Sequence, residues 1–488
     1  MKRREFINKS TCALGMAALA TQMQHFGLMS AFAQNKLDNS AVPSDYRALV
    51  CIFLSGGNDG NNMIIPNHND ANVSNYQAYS SARSTQGLAL AQNTLLPINV
   101  PRIGNLTYGL HPSFGTITGG INAGIHPLWA TGKMSVVTNI GTLVEPTTRQ
   151  TYQSGIARRP YNLFSHTDQV NQHQTARSDM ATLNGWGGRI SDKMTVSANP
   201  ARLVPTITTL SGAVLYTIGQ STQPVSLSPA PTPLSNVLAL VGNDGSPISN
   251  ARMEALNTTL NISDNSDLVV AANQINRTGI EISQALGNNI ETTVAFPNTN
   301  LGNQLKQIAR VIKSRVVLNV NRQIFFCSLG GFDTHTGQLL NQANLLGQVS
   351  QAMRAFYEEM AVQNLGDKVT QFTLSDFNRT FNPGGSGANV GSDHAWANHS
   401  IVLGDSVIGG DFYGNNTSNG TPFQTLVNNG PDDADNGGNA RGRWIPTTSV
   451  EQYAATLSSW FGLEPADVNY VFPNLANFQV NNLGFMLP

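Results

Sequence analysis

Four apolar runs punctuate the chain: Arg47–Leu54, Met134–Ile140, Gln323–Leu329 and Val369–Leu374. Each is short, rich in Val, Ile, Leu and Phe, and apolar on both faces, the pattern of a strand buried in the middle of a parallel sheet. Helical periodicity fills the intervals between the later runs. Residues 301 to 320 repeat with a helical period, and residues 338 to 364 place Leu339, Leu346, Val349, Met353 and Phe356 on one stripe. Helix, strand, loop, helix, strand is a βαβ rhythm, so the pattern predicts an α/β fold with a mainly parallel, helix-flanked sheet. Ser400–Leu403 and Ser406–Ile408 read as two further strands, and Thr447–Glu451 opens a last helix running to Trp460. Ser165 caps a helix expected to reach about Met180, with His166 and His173 seven residues apart and so near one face. From 201 to about 297 the texture changes: residues 201 to 233 read as a strand-rich insertion and 234 to 290 as a mostly helical cap, a natural lid over one sheet edge. Residues 414 to 443 read as a surface loop in which Asp432, Asp433 and Asp435 are solvated.

Polar clusters follow the strands. The first run ends in Ser55-Gly-Gly-Asn-Asp-Gly-Asn-Asn62, the third in Gly330-Gly-Phe-Asp-Thr-His335, the fourth in Ser375-Asp-Phe-Asn-Arg379, and Gly391-Ser-Asp-His394 with His399 comes next. Ligands of open α/β sheets sit beyond the carboxyl ends of strands, so these clusters are expected to share one crevice. Oxygen and imidazole donors without thiolates suit a divalent cation such as Zn, Mn, Mg or Ca. Asp333 and His335, two apart in an extended loop, point the same way; Asp376 ends a neighbouring strand, and Asp393, His394 and His399 add a carboxylate and two imidazoles. Asp59 reads equally as a ligand or as part of an Asn-Asp-Gly turn. Ser165 reads as a helix cap or as a hydroxyl activated near a helix start.

Composition narrows the setting. Lys+Arg number 28 and Asp+Glu 29, a net charge of -1, so no global field draws nucleic acid or anionic lipid. The start of the chain, Lys2-Arg3-Arg4-Glu5-Phe6, precedes a mildly apolar segment and Ala31-Phe32-Ala33; residues 1–33 therefore read as a twin-arginine signal peptide, with residues 34–488 as a single domain in the periplasm or secreted. The partner implied is the twin-arginine export machinery, and no membrane span is expected in the mature chain. Cys12 leaves with the signal, while Cys51 and Cys327 fall in buried strands as free thiols. No dinucleotide glycine fingerprint, haem motif or cysteine cluster supports a redox cofactor.

The motifs F-L-S-G-G-N-D-G-N-N, S-L-G-G-F-D-T-H, L-S-D-F-N-R-T, G-S-D-H-A-W-A-N-H and I-P-T-T-S-V-E-Q-Y together resemble the exported family catalogued as domain of unknown function 1501. That family is similar to the alkaline phosphatase and sulfatase superfamily. The resemblance implies an alkaline-phosphatase-like three-layer sandwich, metal at strand ends and a hydroxyl or thiol nucleophile. By position it implies Asp59, Asp333, His335 and Asp376 as metal ligands, with His394 or His399 as the last histidine, and Ser165 as the nucleophile, with Thr147 and Thr148 in reserve; Asp393 and both histidines complete the expected metal set, and His166 and Arg379 the expected catalytic set. Phe377 stands where the superfamily commonly carries histidine. The expected activity is exported, metal-dependent hydrolysis of phosphate or sulfate esters on a small molecule or glycan; the alternative is a non-catalytic surface or polymer-binding protein of the same fold. Replacing Arg3 and Arg4 with lysine is predicted to leave precursor in the cytoplasm, visible on a fractionation blot, and unchanged export would remove the twin-arginine reading.

Overall fold

The computed structural model describes residues 45–199, 204–234, 245–261 and 290–488, with five positions between 269 and 277. The signal read at 1–33 and much of the helical stretch read at 234–290 lie outside them. Among the described residues nine strands form the main sheet: β1 (Arg47–Leu54), β2 (Met134–Gly141), β3 (Ile207–Thr209), β4 (Val225–Ser226), β5 (Arg322–Leu329), β6 (Val369–Ser375), β7 (Asn398–Leu403), β8 (Phe412–Tyr413) and β9 (Thr448–Ser449). Their order is β8-β2-β7-β6-β1-β5-β3-β4, with β9 also paired to β2. β7 is antiparallel to both of its neighbours and every other pairing is parallel, so β7 alone runs against the rest. A separate three-stranded antiparallel sheet joins Ile64–Pro66, Leu96–Val100 and Leu106–Leu110.

Alternation along β1 explains the layers. Ala48, Val50, Ile52 and Leu54 face one core, which holds Leu305, Ile308 and Ile312 of helix α3 (Asn300–Lys313) and Leu346, Val349, Met353 and Phe356 of α4 (Gln338–Val362). Leu49, Cys51 and Phe53 face the other, with Trp186, Ile190 and Met194 of α2 (Trp186–Ala198) and Tyr453, Ala454 and Leu457 of α5 (Val450–Phe461). Successive side chains of a strand point to opposite faces, so a strand apolar at every position needs helices on both sides. The result is a mixed α/β, three-layer arrangement. Cys51 and Cys327 are both free and buried in it. Among the described residues no helix is long and apolar enough to cross a membrane.

Several expected boundaries move. The helix read over 301–320 stops at Lys313, is capped by Ser314, and resumes as Arg315–Leu318. Helix α1 (His166–Thr175), capped by Ser165 as expected, ends at Ala176 in a left-handed conformation rather than near Met180. Leu339 is 37 % exposed, off the buried face that Gln338, Gln342 and Leu346 define. Ser406–Ile408 forms only one bridge, Val407 to Met486. The short strands of the 201–233 stretch extend the main sheet beyond β5. Asp432 and Asp433, read as solvated, are buried: Asp432 accepts from the backbone N–H groups of Ser418 and Thr425, and Asp433 from those of Asn429, Asp435 and Arg443.

Glu451 lies in the first turn of α5 behind a capping box of Ser449 and Gln452, and its side chain is fully buried. A helix start favours an ionised carboxylate by at most ~2 kcal/mol; burial outweighs this and pushes Glu451 up from 4.5 to about 8. The folded chain therefore holds a proton that the unfolded chain releases, so its contribution is whole below about 4.5 and is lost as pH rises towards 8. Glu451→Gln is predicted to match the native chain at pH 4.5 and to exceed its stability at pH 9, each tenfold change in proton affinity being worth ~1.4 kcal/mol. Urea titrations at the two pH values check this, and equal gaps at both would refute it.

Candidate metal centre

β1, β5 and β6 end level with one another, since Leu54 pairs with Leu329 and with Ser375. The loops at 55–59, 330–335 and 376–379 therefore leave from one edge. β7, running the other way, is entered from that same edge, and residues 379 to 394 fold as a ribbon tied by bridges between Arg379 and His394 and between Gly384 and Gly391. Backbone approach is close here. Gly56 has φ +115, and a Cβ on it would lie 2.4 Å from the Asp333 nitrogen; Gly57 has φ +82, and a Cβ would lie 2.5 Å from the Phe377 ring. Neither position admits a side chain.

Three imidazoles converge on one carboxylate oxygen. The Nε2 atoms of His166, His335 and His394 stand 3.5, 3.0 and 3.6 Å from Asp333 Oδ1, and those of His335 and His394 are 3.2 Å apart. The other nitrogen of each ring faces a carboxylate or carbonyl oxygen. His166 Nδ1 donates to Asp376 Oδ2 at 2.8 Å, His394 Nδ1 donates to the Phe164 carbonyl at 2.8 Å, and His335 Nδ1 lies 3.3 Å from Asp393 Oδ1. A neutral ring that donates through Nδ1 presents a lone pair at Nε2. His166 Nε2 is buried without a hydrogen-bond partner. Lone pairs aimed at a carboxylate repel unless a cation lies among them. Ligand atoms ~2.0–2.1 Å from a tetrahedral ion stand about 3.3 Å from each other, which the separations at Asp333 match. The ligand atoms of His166, Asp333 and His394 all lie within 4.8 Å of one another. The residues fit a divalent cation.

Charges around the cluster are arranged in pairs. Burial resists ionisation of Asp333, yet the hydrogen bond and charge of Arg379 overcome it and hold the carboxyl below its usual range. Arg379 is fully buried; it donates to Asp333 Oδ1 at 2.8 Å and to the Ser392 carbonyl. The hydrogen bond to Asp376 raises the affinity of His166 for a proton, against burial, whereas burial lowers that of His394. Arg441 pairs with the second oxygen of Asp393, and Arg443 donates to the His394 carbonyl at 2.8 Å while pairing with Asp435. The Phe377 ring lies 4.7 Å from both His166 and His394 and closes the inner wall. The outer wall is open, as Asp333 and His335 are 46 % and 47 % exposed at the side chain.

The other expected site residues have different surroundings. Asp376 and Asp393 stand behind the imidazoles, as carboxylates that orient the rings. Asp59 lies in the core, paired with Arg83, accepting from Gln338 Nε2 at 2.6 Å and from the Asn61 N–H at 3.1 Å as the cap of Gly60–Met63; its oxygens are taken by protein donors. His399 is buried within β7, accepts from the Asn139 N–H at 3.3 Å and stacks on Phe423, and burial depresses it to about 3. Ser165 Oγ donates to Asp168 Oδ2 at 2.6 Å and caps α1. Thr147 donates to the Glu145 carbonyl and Thr148 caps Arg149–Gln153, so neither hydroxyl is idle. His166, expected as a catalytic group, is instead the third imidazole of the cluster. Its place as the first residue after the Ser165 cap was the available signal.

No curated protein matches the sequence. Three solved structures show a faint likeness. Ps i-CgsB, described in complex with k-i-k-neocarrahexaose, is 8% identical with TM-score 0.31, over 90% of this chain and 75% of that one. The C-terminal periplasmic domain of EcEptC from Escherichia coli, described in complex with Zn, is 10% identical with TM-score 0.25, over 74% and 73%. PsFucS1 sulfatase from Pseudoalteromonas sp. is 9% identical with TM-score 0.28, over 80% and 67%. At such low similarity the likeness does not extend to chemistry. The family described as "Protein of unknown function (DUF1501)" matches residues 46–425, and the chain belongs to it.

Proposed function

We propose that the protein is an exported, metal-dependent hydrolase of phosphate or sulfate esters carried by a small molecule or glycan. The observation that carries this reading is the convergence of three Nε2 atoms on Asp333 Oδ1, each ring turned by a partner at Nδ1. His166, Asp333 and His394 would hold the cation, with His335 Nε2 beside Asp333 and His394 at the edge of the set. A divalent ion there supplies Lewis acidity towards a phosphoryl or sulfuryl oxygen and eases deprotonation of water. The chain's own groups prepare that chemistry: Arg379 keeps Asp333 ionised, Asp376 and the Phe164 carbonyl fix the ring tautomers, and Phe377 excludes water from the inner side. Among the described residues no hydroxyl or thiol hydrogen-bonds to these four side chains, so the nucleophile we assign is water. Its oxygen bonds to phosphorus or sulfur, and the ester oxygen leaves with a proton as the alcohol.

A second reading, a binding protein with a structural ion, draws support from the donor count. With His335 drawn in, four protein donors would complete a tetrahedral shell, as structural zinc sites do. The open outer wall at Asp333 and His335 favours the first reading, since a closed structural site has no use for solvent access.

Purified mature protein is predicted to contain a divalent metal that His166→Ala loses together with turnover of an aryl sulfate or aryl phosphate. Asp376→Asn should weaken metal affinity by roughly 10–100-fold while leaving the fold intact. Elemental analysis and chelator competition measure both, and full metal occupancy in His166→Ala would sink the assignment. Ser165→Ala tests the nucleophile. Loss of the cap should cost ~1 kcal/mol of stability with metal and turnover retained; a stable, metal-loaded but inactive variant would return the nucleophile to Ser165.

A further inference from the structure

A second concavity lies beside the first half of α4. It measures about 440 Å³, within the ~300–1,000 Å³ of ordinary ligand sites. One wall is Ala343, Asn344, Gly347 and Gln348 of α4, the second is the loop 117–121, and the third is Pro297-Asn298-Thr299 at the start of α3. No residue of the metal centre lines it. Hydrogen bonds fix the two walls that face α4. Buried Gln351 accepts from the backbone N–H groups of Ile121 and Asn122 at 2.9 and 3.1 Å and donates to the Asn122 carbonyl at 3.1 Å, which ties the loop to α4. Thr299 accepts from the Gly302 N–H at 3.1 Å, and a Cβ on Gly302 would lie 2.0 Å from the Pro297 carbonyl oxygen. The walls are thus set before any ligand arrives, which lowers the ordering cost of binding.

The polar groups of the lining are of one kind. Asn298, Asn344 and Gln348 carry amides, Ser113 and Thr118 carry hydroxyls, and no carboxylate, ammonium, guanidinium or imidazole is among them. Among the described residues, the amides of Asn344 and Gln348 and the hydroxyls of Ser113 and Thr118 have no hydrogen-bond partner in the protein. Amides and hydroxyls both donate and accept. A ligand hydroxyl does the same and can meet any of them, whereas an ionised ligand would lose hydration here and find no opposite charge. Ile117, Pro297 and Ala343 add carbon surface between the polar groups, which suits the C–H faces of a ring that carries hydroxyls at its edge.

We infer that this concavity is a binding site for an uncharged, hydroxyl-rich ligand, a neutral saccharide segment, separate from the metal centre. A peptide matches the lining less well. Its side chains call for a deep apolar pocket or an opposite charge, and the walls supply neither. The inference does not rest on the hydrolase reading, since it uses no residue and no chemistry of the metal centre.

Calorimetry on the mature wild-type protein with the neutral trisaccharides maltotriose, cellotriose, laminaritriose and mannotriose tests this. Saturable binding of at least one is expected. Asn344→Leu and Gln348→Met keep the bulk of the α4 wall and remove its amides. Each is expected to weaken that binding by roughly tenfold, the loss of one or two hydrogen bonds, with circular dichroism and metal content as in wild type. Stripping the metal with chelator should leave the affinity unchanged. Binding of none of the sugars, wild-type affinity in both variants, loss of binding with the metal, or tighter binding of the capped peptide N-acetyl-triglycine amide would overturn the inference. Failure of the metal-loaded protein to cleave any ester would sink the hydrolase reading alone.

Discussion

The direction of β7 is the constraint on which the centre depends. A parallel strand after β6 would require a crossover to the far edge of the sheet. Because β7 is antiparallel to β6, residues 376–397 never leave the edge at which β6 ends. That one excursion supplies Asp376, Phe377, Arg379, Asp393 and His394, and β1 and β5, paired side by side, bring Gly56 and Asp333 against it.

Within that frame the energetics are those of buried polar groups. A carboxylate, three imidazoles and a guanidinium brought together lose much of their hydration, and each unpaired atom costs on the order of 1–3 kcal/mol. The chain satisfies the Nδ1 side of each ring and both terminal nitrogens of Arg379, which donate to Asp333 and Ser392. It leaves the Nε2 side crowded with acceptors around Asp333. A structure that pairs its polar atoms so consistently on one side and so poorly on the other is organised for an added positive charge.

Much of this was legible in the residues, and the limits have physical causes. The runs that became β1, β2, β5 and β6 were visible because burial on both faces demands an unbroken apolar sequence. β3, β4, β8 and β9 are two or three residues long and leave no period to read. The sense of β7 was invisible, since apolar residues pack alike in either direction. Among the site residues, the types were readable and the directions were not. Asp376 and Asp393 carry the same carboxylate as Asp333 but face the rings from behind. Asp59 is claimed by Arg83, 24 residues on, through a contact that no local pattern encodes. His399 lies one residue inside β7, where it packs on Phe423 in the core.

The cluster draws its side chains from the start of α1, the loop after β5 and the loop before β7, segments that are far apart along the chain. No stretch of unfolded chain holds the set, so an ion bound there stabilises only the folded form. By mass action, free metal at a thousand times its dissociation constant adds ~4 kcal/mol, the upper end of what a disulfide typically contributes. An ion held there would act as a reversible cross-link between three segments, formed once the sheet exists and undone by chelation without cutting any bond of the chain.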